Sequence, residues 1–188
     1  MITLVIGLVL FLGPHSVSIL DESWRDRMVA RLGERPWKSV YSLVSLIGFV
    51  LIIRGFAAAR HDVPTLYLPP ASHLTALLMV PVFPLLIATY FPGKIQAVVR
   101  HPMLLAVILW AAAHLLANGL LADVLLFGGF LLWAVADLAS MTYRTQRPIR
   151  RAPASRWNDA VAVIGGLVLY AVFVAGMHRW LFGITALV

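Results

Sequence analysis

The chain contains no cysteine and few charged residues, and each shortage excludes a class of protein. Without cysteine there is no disulfide framework, no thiolate nucleophile and no sulfur ligand for a metal or haem iron. Only 12% of the 188 residues are charged and 61% are hydrophobic, whereas a soluble domain is roughly one quarter charged and one half apolar. Because no globular core could bury this excess, the composition predicts an integral membrane protein whose main partner is the lipid bilayer.

Motifs of soluble enzymes are also missing. The sequence has no nucleophile elbow, no Gly-rich nucleotide loop and no HExxH motif, which argues against hydrolases, kinases and zinc proteases. The net charge of +7 comes from Lys and Arg residues between apolar runs rather than along one basic face. Such a distribution is typical of membrane topology signals, so we expect no nucleic-acid partner.

Apolar runs predict an all-α, polytopic membrane helical bundle of about six transmembrane helices, forming one domain over residues 1–188. Pro81 and Pro84 predict a kink in the third span, and Asn118-Gly119 predicts a tight turn after the fourth. The mixed-charge segment 21–38 is expected to lie at the membrane interface. The glycine pairs 128–129 and 165–166 are expected to be close helix contacts. The predicted spans are about 2–20, 40–59, 74–91, 100–117, 120–143 and 160–177.

The basic residues also predict an orientation. The segments after the first, third and fifth spans hold twelve Lys and Arg residues, and the remaining segments, counted with Arg54, hold three. Cytoplasmic segments are the more basic ones, so both termini are expected on the opposite, outer side.

Two histidines inside predicted spans are the main candidates for a functional site. A titratable side chain within a span costs roughly 2–3 kcal/mol and therefore needs a reason. His15 follows Gly13-Pro14 late in the first span, and His114 lies among alanines in the fourth, one helical turn after Trp110 on the same face. Each could be an axial ligand of haem iron or could hydrogen-bond across a helix interface. Two histidines on separate spans suit a planar macrocycle better than zinc, which takes three or four ligands.

Other polar residues have less specific interpretations. Arg100 and His101 open the fourth span and are either an interface anchor or a site where Arg100 pairs with a haem propionate or another anion. Asp137 is expected to be a paired structural carboxylate near the interface. The remaining histidines, His61, His73 and His178, lie in loops or at span ends and are expected to have no special role.

Several segments resemble the NnrU family over nearly the whole chain. They include GPHS at 13–16, RHPML at 100–104, HLLANG at 114–119 and LFGGF at 126–130. NnrU proteins are bacterial inner-membrane proteins associated with denitrification, specifically with nitrite and nitric oxide reductase function. The resemblance therefore implies a multi-pass protein of the bacterial inner membrane, with both termini periplasmic if the charge bias holds.

The NnrU family is related to 15-cis-zeta-carotene isomerase, a membrane haem b protein. In that enzyme the proposed iron ligands are a histidine followed by serine in an early helix and a second one thirteen residues after the RHP histidine. These positions fall on His15 and His114, so the resemblance implies haem b held by this pair, with Arg100, His101 and Trp110 in its binding site. A cysteine near the second ligand of the plant enzyme is replaced here by Ala111, which puts isomerase activity in doubt.

Three functions remain open from the sequence. The first is a bis-His haem protein with a redox or nitric-oxide-related role, the second a membrane isomerase of a cis-polyene or similar lipophilic molecule, and the third a cofactor-free assembly factor. A methyltransferase is disfavoured because no glutamate follows Glu34 to supply the acidic pair such enzymes use. Span counting leaves His15 about 10 Å from His114 in depth, and about as far from His101. The resemblance, rather than the spacing, selects His114.

Overall fold

A computed structural model describes residues 1–61, 63–68, 72–145, 147–183 and 186, and this part of the chain is helical apart from one isolated β-bridge. The predicted all-α fold is confirmed. The elements are α1 (Ile2–Leu20), α2 (Glu22–Leu32), α3 (Glu34–Ala59), α4 (Ser72–Met79), α5 (Val82–Tyr90), α6 (Lys94–Val99), α7 (Pro102–Ala117), α8 (Leu121–Ser140), α9 (Asn158–Val172), a π-helical segment (Phe173–Met177) and α10 (His178–Phe182).

The chain divides into two compact units. Unit 1 comprises Met1–Tyr67 and Gly119–Gln146, and unit 2 comprises Leu68–Asn118 and Arg147–Val188. The assignment of residues 1–188 to one domain stays a prediction.

Four helices in the described residues are long and apolar enough to cross a membrane: Ile2–Leu20, Glu34–Ala59, Leu121–Ser140 and Asn158–Phe182. The predicted third and fourth spans correspond to shorter apolar helices, Leu74–Tyr90 and Pro102–Ala117. With 16 residues, the latter is about 24 Å long against a hydrocarbon core of about 30 Å. The chain is therefore a helical membrane protein in which two of the six predicted spans are shorter than the bilayer is thick.

Unit 1 is built on a close antiparallel pair, α1 and α3, with α8 packed against α1. Glycine makes the close approach possible: a Cβ added to Gly7 would lie 2.6 Å from the Ile52 amide nitrogen, and one added to Gly48 would lie 2.6 Å from that of Phe11. The contact predicted at glycines 128–129 is found at Gly129 only. A Cβ added to Gly129 would lie 3.7 Å from Leu12 of α1, an ordinary packing distance, whereas one added to Gly128 would meet no described atom within 4 Å.

Unit 2 places α5 between α7 and α9, with α4 against α7. The predicted proline kink is confirmed, since the helix breaks at Val80–Pro81 between α4 and α5. The contact predicted at glycines 165–166 is confirmed too, because Gly166 packs directly on the backbone of Pro84. Two hydroxyls join helices within this unit: Thr75 Oγ1 donates to the Ala113 carbonyl at 3.1 Å, and the Tyr170 hydroxyl donates to the Ala76 carbonyl at 2.9 Å.

The tight turn predicted at Asn118-Gly119 is wrong. Asn118 is extended, with φ −138° and ψ 127°. The next residues pair with the segment that follows α3 instead of turning back: the Leu66 amide donates to the Gly119 carbonyl at 2.7 Å, and the Leu121 amide donates to the Pro64 carbonyl at 3.0 Å. Backbone pairing with a distant segment therefore overrides the local turn preference of Asn-Gly.

Candidate functional site

His15 lies near the end of α1, next to the in-helix Pro14, and its side chain is half-buried within unit 1. Its Nδ1 lies 2.6 Å from the Phe11 carbonyl oxygen, one helical turn earlier. Because a carbonyl only accepts, Nδ1 carries the hydrogen, and Nε2 is then the nitrogen that holds the lone pair of neutral imidazole. The helix itself thus fixes the tautomer of His15.

Aromatic rings from three helices surround this imidazole. Phe11 of α1 stacks on it at 4.5 Å between ring centroids, Tyr41 of α3 lies at 5.0 Å, and Trp133 of α8 meets it edge-on at 5.8 Å. Ser45 lies one turn beyond Tyr41 on α3 and is 8% exposed. The buried Ser45 Oγ and Trp133 Nε1 have no hydrogen-bond partner among the described residues. Buried polar atoms are rarely left unpaired, so this aromatic cluster has hydrogen-bonding capacity for a further molecule.

Asp137 continues the same face of α8, one turn after Trp133. Its carboxylate forms an ion pair with Arg144, and the two side chains are 10% and 12% exposed. The Ser140 hydroxyl lies beside the pair and donates to the Asp137 carbonyl at 2.6 Å. The prediction of a paired carboxylate is confirmed. Trp133, one turn before Asp137, contacts the His15 ring, so the ion pair lies beside the aromatic cluster within unit 1.

His114 has the same local arrangement within unit 2. Its Nδ1 lies 2.8 Å from the Trp110 carbonyl oxygen, and the two rings are 5.3 Å apart. The predicted shared face of Trp110 and His114 is confirmed. Ala111 and Ala113, on either side, are fully buried, and the Asn118 side-chain amide donates to the His114 carbonyl at 2.9 Å. The helix again fixes Nδ1–H and leaves the lone pair on Nε2.

Arg100 and His101 lie at the other end of α7 from His114. Thirteen residues separate His101 from His114, which is about 20 Å along a helix. Arg100 is exposed and, among the described residues, is the one non-glycine with a positive φ, 64°. His101 is the N-cap of α7, with Pro102 at the first helical position as predicted. Unit 2 therefore brings Trp110 to His114, but it does not bring Arg100 or His101 there.

His178 and Asp123 are two polar residues for which the sequence predicted no role. His178 directly follows the π-helical segment. Asp123, at the start of α8, is 1% exposed; its Oδ2 accepts from the Leu120 amide at 3.0 Å, and its Oδ1 has no partner among the described residues. Burial, and then the charge of Asp123, raise the pKa of the Tyr67 phenol nearby.

The other two histidines of the sequence analysis are His61 and His73. His61 is exposed, and the side chain of His73 lies outside the described part of the chain.

The described side chains limit the kinds of metal site that these units could form. No group of three or more His, Asp or Glu side chains with metal-binding geometry occurs among the described residues. His15 and His114 belong to different units, and each is a single imidazole with its tautomer set by its own helix. Single imidazoles are the protein donors that a haem iron takes at its axial positions, whereas zinc requires a larger protein set.

Comparison with known proteins identifies a family and nothing narrower. No protein of curated function and no solved structure matches the sequence. The family model described as NnrU protein matches residues 3–186. Since this match covers nearly the whole chain, the protein belongs to the NnrU family.

Proposed function

We propose that this NnrU-family protein binds haem b in the membrane, with His15 and His114 as axial ligands, and serves a redox or nitric-oxide-related role associated with denitrification. One observation carries the proposal. Two half-buried histidines on apolar helices each donate Nδ1–H to the carbonyl four residues earlier, beside an aromatic ring at that same position.

This arrangement is the one expected of a metal-binding histidine. Such histidines usually donate their second ring N–H to a carbonyl or carboxylate, which fixes the tautomer and makes the ligating nitrogen more basic. A histidine that mainly joins two helices would direct its N–H to the neighbouring helix. In both His15 and His114 the N–H is directed to the residue's own helix, which leaves Nε2 as the donor nitrogen.

The residues around His15 are of types that suit a haem-binding site. Around His15, the rings of Phe11, Tyr41 and Trp133 would exclude water and hold the imidazole in place. The unpaired Trp133 Nε1–H and Ser45 hydroxyl would donate hydrogen bonds to a polar group of the bound molecule. Bound haem would supply an iron that gains or loses one electron and, with a position open, takes a diatomic ligand.

The test is a haem measurement on protein produced with ample haem supply. The pyridine haemochrome spectrum gives haem b per chain for the unaltered protein, for His15→Ala, for His114→Ala and for the double variant. His61→Ala is the matched control, because His61 is exposed in a loop. We expect haem in the unaltered protein and in the control, a changed spectrum in each single variant, and no haem in the double variant. A colourless unaltered protein, or haem retained by the double variant, would refute the proposal.

The same preparation separates the rival functions. A cis-polyene isomerase would convert its substrate in liposomes and lose that activity when iron is removed. A cofactor-free assembly factor would purify without haem and together with a reductase subunit. Placement in the bacterial inner membrane with both termini periplasmic belongs to the same proposal and is supported by the twelve-to-three bias of Lys and Arg residues.

A further inference from the structure

Several helices of unit 2 begin or end at one end of the unit, and a loop is hydrogen-bonded to them there. Helix α5 finishes there at Tyr90, and α7 and α9 begin there. The Ala152 amide donates to the Tyr90 carbonyl at 2.8 Å, and the Asn158 side-chain amide donates to the Pro92 and Pro153 carbonyls at 2.8 and 3.0 Å. The loop 147–157 is therefore a fixed part of this end of the unit.

This end carries a large excess of positive charge. Its two segments, 90–102 and 147–159, contain six Lys and Arg residues and a single carboxylate, that of Asp159. The two oxygens of Asp159 accept from the backbone amides of Lys94 and Ile95, at 2.9 and 3.0 Å. The Asp159 carboxylate is therefore bound to backbone amides, and the excess of basic side chains over this one carboxylate favours anions at this surface. The six basic residues are Lys94, Arg100, Arg147, Arg150, Arg151 and Arg156.

A shallow apolar groove begins at the same place and follows α9. It has a volume of ≈ 490 Å³ and is open along one side. Its lining residues recur at helical spacing and cover one face of α9 for about 12 Å. The Arg156 guanidinium lies 5.1 Å above the Trp157 ring, which forms the mouth of the groove and is 61% exposed. The groove is lined by Trp157, Ala160, Val161, Ile164 and Gly165.

We propose that this surface is a binding site for one anionic phospholipid, with its phosphate on Arg150, Arg151 and Arg156 and an acyl chain along the groove. Guanidinium groups bind phosphate through charge-assisted hydrogen bonds. Tryptophan is enriched at the headgroup level of membranes, and basic pockets at helix ends bind anionic lipid headgroups. Charge complementarity favours an anionic over a zwitterionic lipid, and an apolar groove continuous with the basic mouth favours a lipid over a soluble anion.

Fluorescence quenching by brominated lipids tests the site on the full chain. The protein is reconstituted with phosphatidylglycerol or phosphatidylcholine carrying brominated acyl chains, at equal mole fractions. The contribution of Trp157 is obtained by subtracting the signal of Trp157→Phe. We expect roughly a five- to tenfold preference for phosphatidylglycerol at Trp157, since each nearby basic residue adds measurably to anionic-lipid binding.

Two pairs of variants separate binding of the lipid headgroup from binding of its acyl chain. Arg150→Gln with Arg151→Gln should reduce the preference to within about twofold while Arg156 stays on the Trp157 ring. Arg31→Gln with Arg35→Gln, an equal charge change in unit 1, should leave it unaltered. Ala160→Phe, which fills the groove, should weaken binding of both lipids several-fold, whereas Val163→Phe, on another face of α9, should not.

Three results would overturn the proposal. They are equal quenching by the two lipids in the unaltered protein, a preference that survives in the Arg150/Arg151 variant, and an equal loss in the Arg31/Arg35 variant. Displacement of the brominated lipid by millimolar glycerol phosphate would overturn it as well, because the site would then bind an anion without using the groove.

Discussion

Replacing Arg144 by leucine is expected to destabilise unit 1 strongly, because it leaves the Asp137 carboxylate buried without its cation. The two side chains are 12% and 10% exposed, so water cannot replace the lost partner. The Ser140 hydroxyl, 3.4 Å from Asp137 Oδ1, could compensate only in part. Asp137 lies one helical turn after Trp133, which contacts the His15 ring, so the unpaired charge would disturb the aromatic cluster as well.

The expected cost follows from the burial of the pair. Removing one partner of a buried ion pair typically costs 3–5 kcal/mol, and the remaining exposure together with Ser140 favours the lower end, about 3 kcal/mol. Replacing both residues by leucine leaves no buried charge and should cost no more than about 1 kcal/mol. For a chain of this size, about 3 kcal/mol corresponds to roughly 6–12 °C in Tm.

The measurement is thermal unfolding in detergent, followed by circular dichroism at one fixed heating rate. Lys38→Leu is the matched control, because it breaks the Glu34–Lys38 pair, whose side chains are 66% and 65% exposed, and it should leave Tm unchanged. An Arg144→Leu variant within 2 °C of the unaltered protein, or a double variant as unstable as the single one, would refute the reasoning from burial.

Two further predictions use matched substitutions. Gly48→Ala should cost about 1–3 kcal/mol in the same thermal assay, because its Cβ would lie 2.6 Å from the Phe11 amide nitrogen. Gly128→Ala should be neutral or slightly stabilising, and equal effects at the two positions would contradict the close approach of α1 and α3. Asp159→Ala removes the acceptor for the Lys94 and Ile95 amides, so amide hydrogen exchange across α6 should accelerate. Asp21→Ala, which removes the cap on the Trp24 amide, should leave exchange across α6 unchanged, and unaltered exchange in Asp159→Ala would argue against its role.

The features that the sequence predicted correctly are those set by neighbours along the chain. The first span has the predicted bounds, Pro102 opens α7, and Trp110 shares a face with His114 because four residues make about one helical turn. Asp137 is paired as predicted, and its partner Arg144 lies seven residues later, just beyond the end of α8. Each of these features depends on residues that are close together in the chain.

The predictions that failed depend on which face of a helix meets another part of the chain. The glycine pairs 128–129 and 165–166 look alike in sequence, yet Gly166 meets the backbone of Pro84, whereas Gly129 makes only ordinary contacts with α1 and Gly128 meets no described atom within 4 Å. Gly7 and Gly48, which allow α1 and α3 to pack closely, carry no distinguishing local signal. The rings that Tyr41 and Trp133 bring to His15 come from separate helices, and only the packing of α1 against α3 and α8 reveals them.

The hydrogen bonds that orient His15 and His114 are local, so each histidine can be tested on its own. The Nδ1–H bonds of His15 and His114 are made to carbonyls four residues earlier on the same helix, so the bond that sets each tautomer is local. Phe11 and Trp110 at those positions add a ring contact that restricts the imidazole further. The single variants therefore test each proposed ligand separately. A haem lost in one single variant and kept in the other would assign the ligand to that unit, because neither hydrogen bond depends on the other helix.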